Sequence, residues 1–191
     1  HKEVNEAVNN SLKEMEKNGA ILVPIEENLD TDKLVKEVSV HLYDLKAHLN
    51  QYLEALGDRA KVHSLADVIA SGKYHEGIEE NIKFAQTLDT NSPQYKERLI
   101  KKMELRNLVV KIMAENVLDA IAYPHQKRPV VKVGEPQIER NGVLGAVTGF
   151  PSCIVPAGFT KPTDTAPIGV PVGMEILCRE WDEGTLIEIA Y

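Results

Sequence analysis

The stretch TGFPSCIVPAGF, residues 148–159, decides the fold that this sequence predicts. Residues 151–157 form an apolar run that is bounded by prolines and followed by Gly158, a pattern typical of a buried strand. Pro151 stands at the first position of the run, where no ladder N–H is needed, and Gly149 lets the chain turn close to a neighbour. The stretch therefore predicts a strand that is entered by a tight turn.

Two further strands and a final helix are predicted around this stretch. Residues 119–124 and residues 170–177 are short, mainly apolar runs that end at turn or polar residues. Gly173, inside the later run, indicates a close backbone approach or a bulge. Asp182 and Glu183 place negative charge at the start of the last helix, where it suits the helix dipole.

The residues before these strands are predicted to be mainly helical. A first amphipathic helix ends at Gly19, and the apolar residues 20–25 follow it as a short buried strand. One long helix is predicted from Asp32 until Gly57, because apolar residues recur along it on a single face. The opening of the chain is therefore a helix, a strand and a second helix.

Two local signals place further helices between these and the strand-rich part. Ser64 with Asp67 resembles a capping box, and Pro93 at a first helical position opens the longest helical segment. Helices thus dominate residues 1–117, and strands cluster in residues 118–191. A mixed α/β layer fold follows from this order of elements.

Composition and charge exclude several classes of protein. The chain has 191 residues, of which 43% are hydrophobic, an ordinary composition for a globular domain. Its net charge of −7 is unsuited to binding nucleic acid, whose phosphates require clustered cations. No apolar run approaches the length of a membrane span. Cys153 and Cys178 are isolated, so they predict no metal site; a disulfide between them stays open, and a reduced cytoplasmic setting is the default.

No catalytic constellation stands out from the residue types alone. The sequence contains no phosphate loop, dinucleotide fingerprint, nucleophile elbow or zinc helix, and we predict no cofactor. His125 follows the end of a predicted strand, where α/β folds place functional groups, and a thiol–imidazole pair with Cys153 is one candidate. The competing interpretation is that Cys153 is an inert thiol in an apolar strand.

Three ordered motifs resemble the C-terminal core of the amidase signature family. The first is the stretch 148–159 itself, the second is VPVGMEIL at residues 170–177, and the third is WDEGTL at residues 181–186. Residues 118–124 are also similar to the strand that follows the family's long helix. Each motif also has a scaffold interpretation, as turns and strand ends, and likeness of fold does not by itself place a site.

The resemblance implies a fold and a domain organisation. Residues 1–191 are expected to be the C-terminal fragment of a single amidase domain with a mixed-sheet α/β/α fold. A mainly helical region would span residues 1–117, and the strand-rich family core would span residues 118–191. The expectation of a fragment also comes from the two ends, because the chain opens directly into helix at His1 and stops within a helix at Tyr191.

The resemblance also implies a chemistry whose residues this chain lacks. Amidase signature enzymes hydrolyse carbon–nitrogen amide bonds through a Ser–Ser–Lys arrangement in the N-terminal half of the domain, with an acyl-enzyme intermediate. Here no two serines are adjacent. We therefore predict no catalytic residue in this chain, expect the catalytic residues upstream of it, and expect the chain alone to be inactive. The residues expected to line the substrate pocket are Tyr123, Thr148, Gly149 and Phe150.

Two other functions remain open, and the partners follow from them. The chain is alternatively a non-catalytic scaffold or interaction module, or part of the glutaminase subunit of a tRNA-dependent amidotransferase. A small-molecule amide is the expected partner of the full-length enzyme, with neither nucleic acid nor membrane. A severed sheet edge is expected to expose apolar surface, so the fragment is also expected to self-associate.

Overall fold

The computed structural model of the chain describes residues 1–27 and 29–191, and these fall into two compact units. One unit comprises His1–Lys36 and Met103–Tyr191, and the other comprises Glu37–Lys102. The helices and strands, in chain order, are α1 (Lys2–Lys17), α2 (Thr31–Glu37), α3 (His41–Leu56), α4 (Leu65–Ser71), α5 (Glu79–Thr87), α6 (Pro93–Glu115), β1 (Ile121–Pro124), α7 (Val143–Thr148), β2 (Ser152–Phe159), β3 (Pro171–Leu177) and α8 (Glu183–Ala190). Short 3₁₀ turns lie at Gly57–Arg59 and Glu76–Ile78.

The three predicted strands of the last third form one sheet in the order β1-β3-β2, which confirms the α/β class. Both outer strands run antiparallel to β3, so β3 is buried along most of its length. The register places Tyr123 opposite Glu175 on one side and Ile154 opposite Glu175 on the other. Because side chains alternate along a strand, these three residues share one face of the sheet.

The other face of the sheet packs against two helices. Val4, Ala7 and Val8 of α1 form a buried cluster with Ala157, Val172 and Met174 of the sheet. Farther along β3, Leu186 of α8 packs with Ile176 and with Cys178, which directly follows the strand. The amphipathic stripe of α1 and the apolar face of α8 therefore cover the same side of the sheet.

The structure confirms the bulge expected at Gly173, and the close approach there is made by a side chain and not by the backbone. A Cβ atom at this position would lie 2.7 Å from Cγ2 of Ile154. The β2–β3 register also shifts here, because Pro156 pairs with Gly173 whereas Gly158 pairs with Val172. One extra residue in β2 makes this irregularity a bulge.

The prediction of a buried strand at residues 20–25 is wrong. None of the described strands pairs with this segment, and Ile21 is 89% exposed. An extended apolar segment becomes a strand only where a neighbour accepts its backbone hydrogen bonds, and the described residues supply no such neighbour. The preceding helix ends at Lys17, close to the predicted stop at Gly19.

The single long helix predicted from Asp32 to Gly57 is instead two helices, α2 and α3, separated at residues 38–40. Within the Glu37–Lys102 unit, the carbonyl oxygen of Ser39 accepts a 2.6 Å hydrogen bond from Nη1 of Arg98. The hydroxyl of Ser39 lies 2.7 Å from Nδ1 of His41. The Ser39 carbonyl oxygen is thus bonded to a side chain, a contact that the apolar periodicity does not indicate.

The two local helix signals in the middle of the chain are confirmed. The Ser64 hydroxyl accepts a 3.1 Å bond from the Asp67 N–H, and the Asp67 carboxylate accepts a 2.9 Å bond from the N–H of His63. The bond from the Asp67 carboxylate therefore goes to His63, the residue before the cap Ser64, and not to the N–H of Ser64 itself. Pro93 is the first residue of α6. Along α6, Ile112 and Met113 are buried, whereas Met103 is exposed.

The helix α7 is not among the elements that the sequence predicts, which include only a turn at Gly149. It has six residues, among them a glycine and three β-branched residues. Helix propensity is low for such a composition, so only packing on the sheet explains this helix.

No helix in the described part of the chain combines the length and the apolar character needed to cross a membrane.

Candidate functional site

A hydrogen-bonded pair of side chains lies on the sheet face that carries Tyr123. Nδ1 of His125 is 2.8 Å from Oε2 of Glu175, and the Glu175 side chain is only 3% exposed. Since a carboxylate can only accept a hydrogen bond, Nδ1 of His125 carries the proton and donates it. The His125 side chain is 30% exposed, so the pair connects the buried sheet to the surface.

The backbone of His125 fixes the position of its ring. Its N–H donates a 3.1 Å hydrogen bond to the carbonyl oxygen of Gly173 on β3. Its own carbonyl oxygen accepts bonds of 3.0 and 3.1 Å from the N–H groups of Asn141 and Gly142, just before α7. The Asn141 side chain also donates a 2.9 Å bond to the Pro124 carbonyl oxygen. His125 therefore ties the end of β1 to both β3 and the start of α7.

Two glycines let α7 pack directly on the His125–Glu175 pair. A Cβ atom at Gly142 would lie 2.1 Å from Cε1 of His125. One at Gly145 would lie 2.7 Å from Oε1 of Glu175 and 2.8 Å from Oγ of Ser152. These separations are shorter than any non-bonded contact that a side chain adopts. Glycine is thus required at both positions for the backbone of α7 to approach the pair.

The hydroxyl of Tyr123 is buried close to the Glu175 side chain and the backbone of Gly145. Burial raises the pKa of this phenol well above its ordinary value of 10.0, and the nearby negative charge of Glu175 raises it further. The hydroxyl therefore stays neutral.

The residues Thr148, Gly149 and Phe150 form the turn at the end of α7. The Thr148 hydroxyl donates a 2.8 Å bond to the Leu144 carbonyl oxygen and accepts a 3.3 Å bond from the Phe150 N–H. Gly149 caps the helix at φ +71°, in the left-handed region that favours glycine. The polar groups of Thr148 are therefore engaged within the turn, and Phe150 is 5% exposed.

Arg106 of α6 holds this turn from outside. Its Nη1 donates to the carbonyl oxygen of Thr148, and its guanidinium carbon lies 4.7 Å from the centre of the Phe150 ring. Its Nη2 forms a 2.5 Å salt bridge with Oε2 of Glu180. The Arg106 side chain is 18% exposed, so its hydrogen bond and ring contact are largely shielded from water, whereas the Glu180 side chain of the ion pair is 45% exposed.

A groove of about 620 Å³ runs along β1 in the same unit. Its walls are mainly apolar, and its few polar groups include the side chains of Tyr123, Asn141 and Thr31. Leu144 of α7 also lines it, and Thr148 follows Leu144 by one helical turn. The volume falls within the range of small-molecule sites.

The four predicted pocket residues thus occupy two neighbouring places. Thr148, Gly149 and Phe150 lie together in the turn after α7, whereas Tyr123 lies on β1 at the groove. The sequence analysis missed Glu175 and Arg106. Glu175 is the one charged residue in the apolar strand at residues 170–177, a signal that could have been used. Arg106 gives no such signal, because it is one of many charges on a long helix.

The candidate pair of His125 with Cys153 is not formed. His125 is bonded to Glu175, and Cys153 pairs with Ile176, so its side chain lies on the opposite face of the sheet from Glu175. Both cysteines are free thiols, so the disulfide that the sequence left open is also absent. Among the described residues, no three His, Cys, Asp or Glu side chains are grouped to hold a metal ion.

Burial raises the pKa of the Cys178 thiol from its ordinary value of 9.0 to about 11, and the charge of Asp182 contributes to the shift. The unfolded chain therefore loses this proton at lower pH than the folded chain does. We expect the free energy of unfolding to fall by about 2 kcal/mol as the pH rises from 9 to 11. Urea titrations across this range should show the decline in the natural chain and a smaller one in Cys178→Ala, with Cys153→Ala as a control. Superimposable curves for the natural chain and Cys178→Ala would contradict this assignment.

Comparison with known proteins places this architecture in one family. The sequence model of the family described as Amidase matches residues 1–187, and the chain belongs to this family. The chain is 29% identical to a Glutamyl-tRNA(Gln) amidotransferase subunit of Myxococcus xanthus, over 98% of its own length and 40% of that protein. It is 27% identical to the corresponding subunit of Persephonella marina, with the same coverage.

Solved structures give the same assignment. The native peptide amidase from Stenotrophomonas maltophilia superposes with a TM-score of 0.75 at 28% identity, covering 97% of this chain and 38% of that enzyme. An amidase family protein from Bacillus anthracis superposes with a TM-score of 0.71 at 21% identity, which supports the fold alone. The chain spans about 40% of the length of the curated relatives that it matches.

Proposed function

We propose that this chain is part of an amidase that hydrolyses carbon–nitrogen amide bonds by a Ser–Ser–Lys acyl-enzyme mechanism. One observation carries the proposal: the amidase family matches residues 1–187, yet the chain has scattered serines and no Gly/Ser-rich stretch of the kind found with the family's catalytic residues. The catalytic residues are therefore assigned to a part of the domain outside these 191 residues. The proposed setting is the cytoplasm, and both thiols are free.

The proposed reaction follows from the family's catalytic groups. A lysine removes a proton through a bridging serine, and the second serine attacks the amide carbonyl carbon. Backbone N–H groups stabilise the negative oxygen of the tetrahedral intermediate, which collapses with loss of the protonated amine. Water then hydrolyses the acyl-enzyme. The residues of this chain take no part in these proton transfers.

The role proposed for this chain is to form one wall of the substrate pocket. Tyr123 lines the groove and carries a neutral hydroxyl, and an amide substrate offers both a carbonyl acceptor and an N–H donor. Thr148, Gly149 and Phe150 would contribute shape rather than hydrogen bonds, since the Thr148 hydroxyl is engaged within the turn. The amide itself is a small molecule, and with a net charge of −7 no nucleic-acid partner is proposed.

The isolated chain is expected to be inactive. Purified residues 1–191 should release no ammonia from peptide amides or from glutamine above the buffer background. A longer protein that includes the residues encoded before His1 should hydrolyse at least one of them, and replacement of its paired serines by alanine should abolish that activity. Hydrolysis by residues 1–191 alone would contradict the assignment of the catalytic groups.

The similarity to amidotransferase subunits favours a second candidate function. In that case the longer protein would be the glutaminase subunit of a tRNA-dependent amidotransferase. The substrates separate the two candidates, since a glutaminase subunit should prefer free glutamine and a peptide amidase should prefer C-terminal peptide amides. If the longer protein hydrolyses no amide although it is folded, the third candidate, a non-catalytic scaffold or interaction module, takes their place.

A further inference from the structure

The guanidinium group of Arg106 lies against every residue of the turn at positions 148–150. Its Nη1 donates a hydrogen bond to the carbonyl oxygen of Thr148, and its carbon atom lies 4.7 Å from the centre of the Phe150 ring. A Cβ atom built on Gly149 would lie 3.7 Å from the same Nη1, at van der Waals distance. One side chain of α6 therefore covers the outer face of the whole turn.

The carbonyl group of Thr148 requires this donor. Thr148 is fully buried and is the last residue of α7, so its carbonyl oxygen has no partner within the helix. A buried carbonyl oxygen without a donor costs about 1–3 kcal/mol, whereas a charged donor forms a strong bond to it. A cation also suits the carbonyl end of the helix dipole. The position of the turn is therefore set by a residue that lies outside it.

Arg106 is itself held in one orientation. The helix that carries it is anchored on both sides of it by the buried side chains of Leu105 and Val109. Its Nη2 forms the 2.5 Å salt bridge with Glu180, which lies between β3 and α8. Because the guanidinium is planar and is bound through two nitrogen atoms, its plane over the Phe150 ring is fixed. The support of the turn is thus preorganised.

We propose that Arg106 is a positioning residue for substrate binding, which holds the turn at positions 148–150 in the shape that receives the amide. The inference rests on the proposed function, in which this turn forms part of the pocket wall. Arg106 acts through the turn and touches neither the substrate nor the reacting atoms. A wall of this kind contributes equally to binding the substrate and the transition state, so its loss should raise KM and leave kcat nearly unchanged.

Steady-state hydrolysis by the longer protein tests this role. Active sites are counted by labelling the nucleophilic serine with a fluorophosphonate, so that kcat refers to folded enzyme. In Arg106→Ala, KM should rise about tenfold or more, with kcat per active site within about threefold of the natural enzyme. Arg106→Gln still offers an N–H to the Thr148 carbonyl oxygen, so it should raise KM less, and it keeps the test decisive if Arg106→Ala does not fold. Glu180→Gln is the matched control, because it leaves both contacts with the turn in place and should not change KM.

A merely structural role for Arg106 gives a different result. In that case the variants would contain fewer active sites, but the KM of those sites would be unchanged, and the proposal would be overturned. An equal rise of KM in Glu180→Gln would also overturn it, since the ion pair and not the turn would be responsible. Hydrolysis with an unchanged KM in the Arg106 variants rejects the positioning role alone. If the folded longer protein hydrolyses no amide, the proposed function is rejected, and this inference is rejected with it.

Discussion

Replacement of His125 by alanine is expected to lower the free energy of unfolding by about 2 kcal/mol, because it leaves the buried Glu175 side chain without the donor on its Oε2. Glu175 is 3% exposed, and the Nδ1 of His125 is the donor that the structure shows on its Oε2, at 2.8 Å. The loss should also loosen α7, since Gly142 packs against the His125 ring. Urea denaturation followed by circular dichroism measures the change.

The double variant His125→Ala, Glu175→Gln is the matched control for this effect. An unpaired buried amide costs less than an unpaired buried carboxylate, so the double variant should recover about half of the loss. Glu175→Gln alone keeps an acceptor for Nδ1 and should change stability by less than about 1 kcal/mol. If His125→Ala also lowers the free energy of unfolding by less than about 1 kcal/mol, the bond between His125 and Glu175 does not hold α7 on the sheet.

Replacement of Arg106 by alanine is expected to cost about 3 kcal/mol, from the loss of a charge-assisted hydrogen bond and a cation–π contact. The guanidinium donates to the Thr148 carbonyl oxygen and covers the Phe150 ring at 4.7 Å. Arg106→Lys should cost nearly as much, because an ammonium cannot donate in a fork and stack on a ring at the same time. Urea denaturation gives the magnitude, and faster exchange at the Phe150 amide would locate it.

The salt bridge of Arg106 with Glu180 provides the control. The Glu180 side chain is 45% exposed, so Glu180→Gln should cost less than about 1 kcal/mol. If Glu180→Gln and Arg106→Ala are equally destabilising, the ion pair, and not the contact with Thr148 and Phe150, accounts for the effect. The turn after α7 would then not depend on Arg106, and its shape in the proposed pocket would have another cause.

Part of the candidate site could be predicted from the sequence. Tyr123, Thr148, Gly149 and Phe150 were selected by their motifs, and the structure places three of them in one turn and the fourth at the groove. Their roles in binding a substrate remain a proposal. Glu175 stands out as the one charged residue in its apolar strand, but its pairing with Tyr123 could not be predicted, because the pairing of residues 123 and 175 depends on strand register.

Elements that depend on a neighbour were the ones that the sequence misjudged. Residues 20–25 have the apolar run of a strand, but the described residues provide no strand beside them. The reverse is true of helix α7. Its composition disfavours a helix, yet the sheet on which it packs stabilises one. In both cases local preference and tertiary packing disagree, and packing decides.

The sequence by itself determined the α/β class, the three strands of the last third, the caps at Ser64 and Pro93, and the family, because these depend on residue order and local chemistry. Only the tertiary structure decided that His125 meets Glu175, that Arg106 meets Phe150, and that β1 keeps a free edge among the described strands. Hydrogen bonds and ion pairs between distant residues require the chain to fold first. The conformational entropy lost when such residues are brought together is offset by the burial of the whole core. No local sequence pattern therefore indicates these contacts.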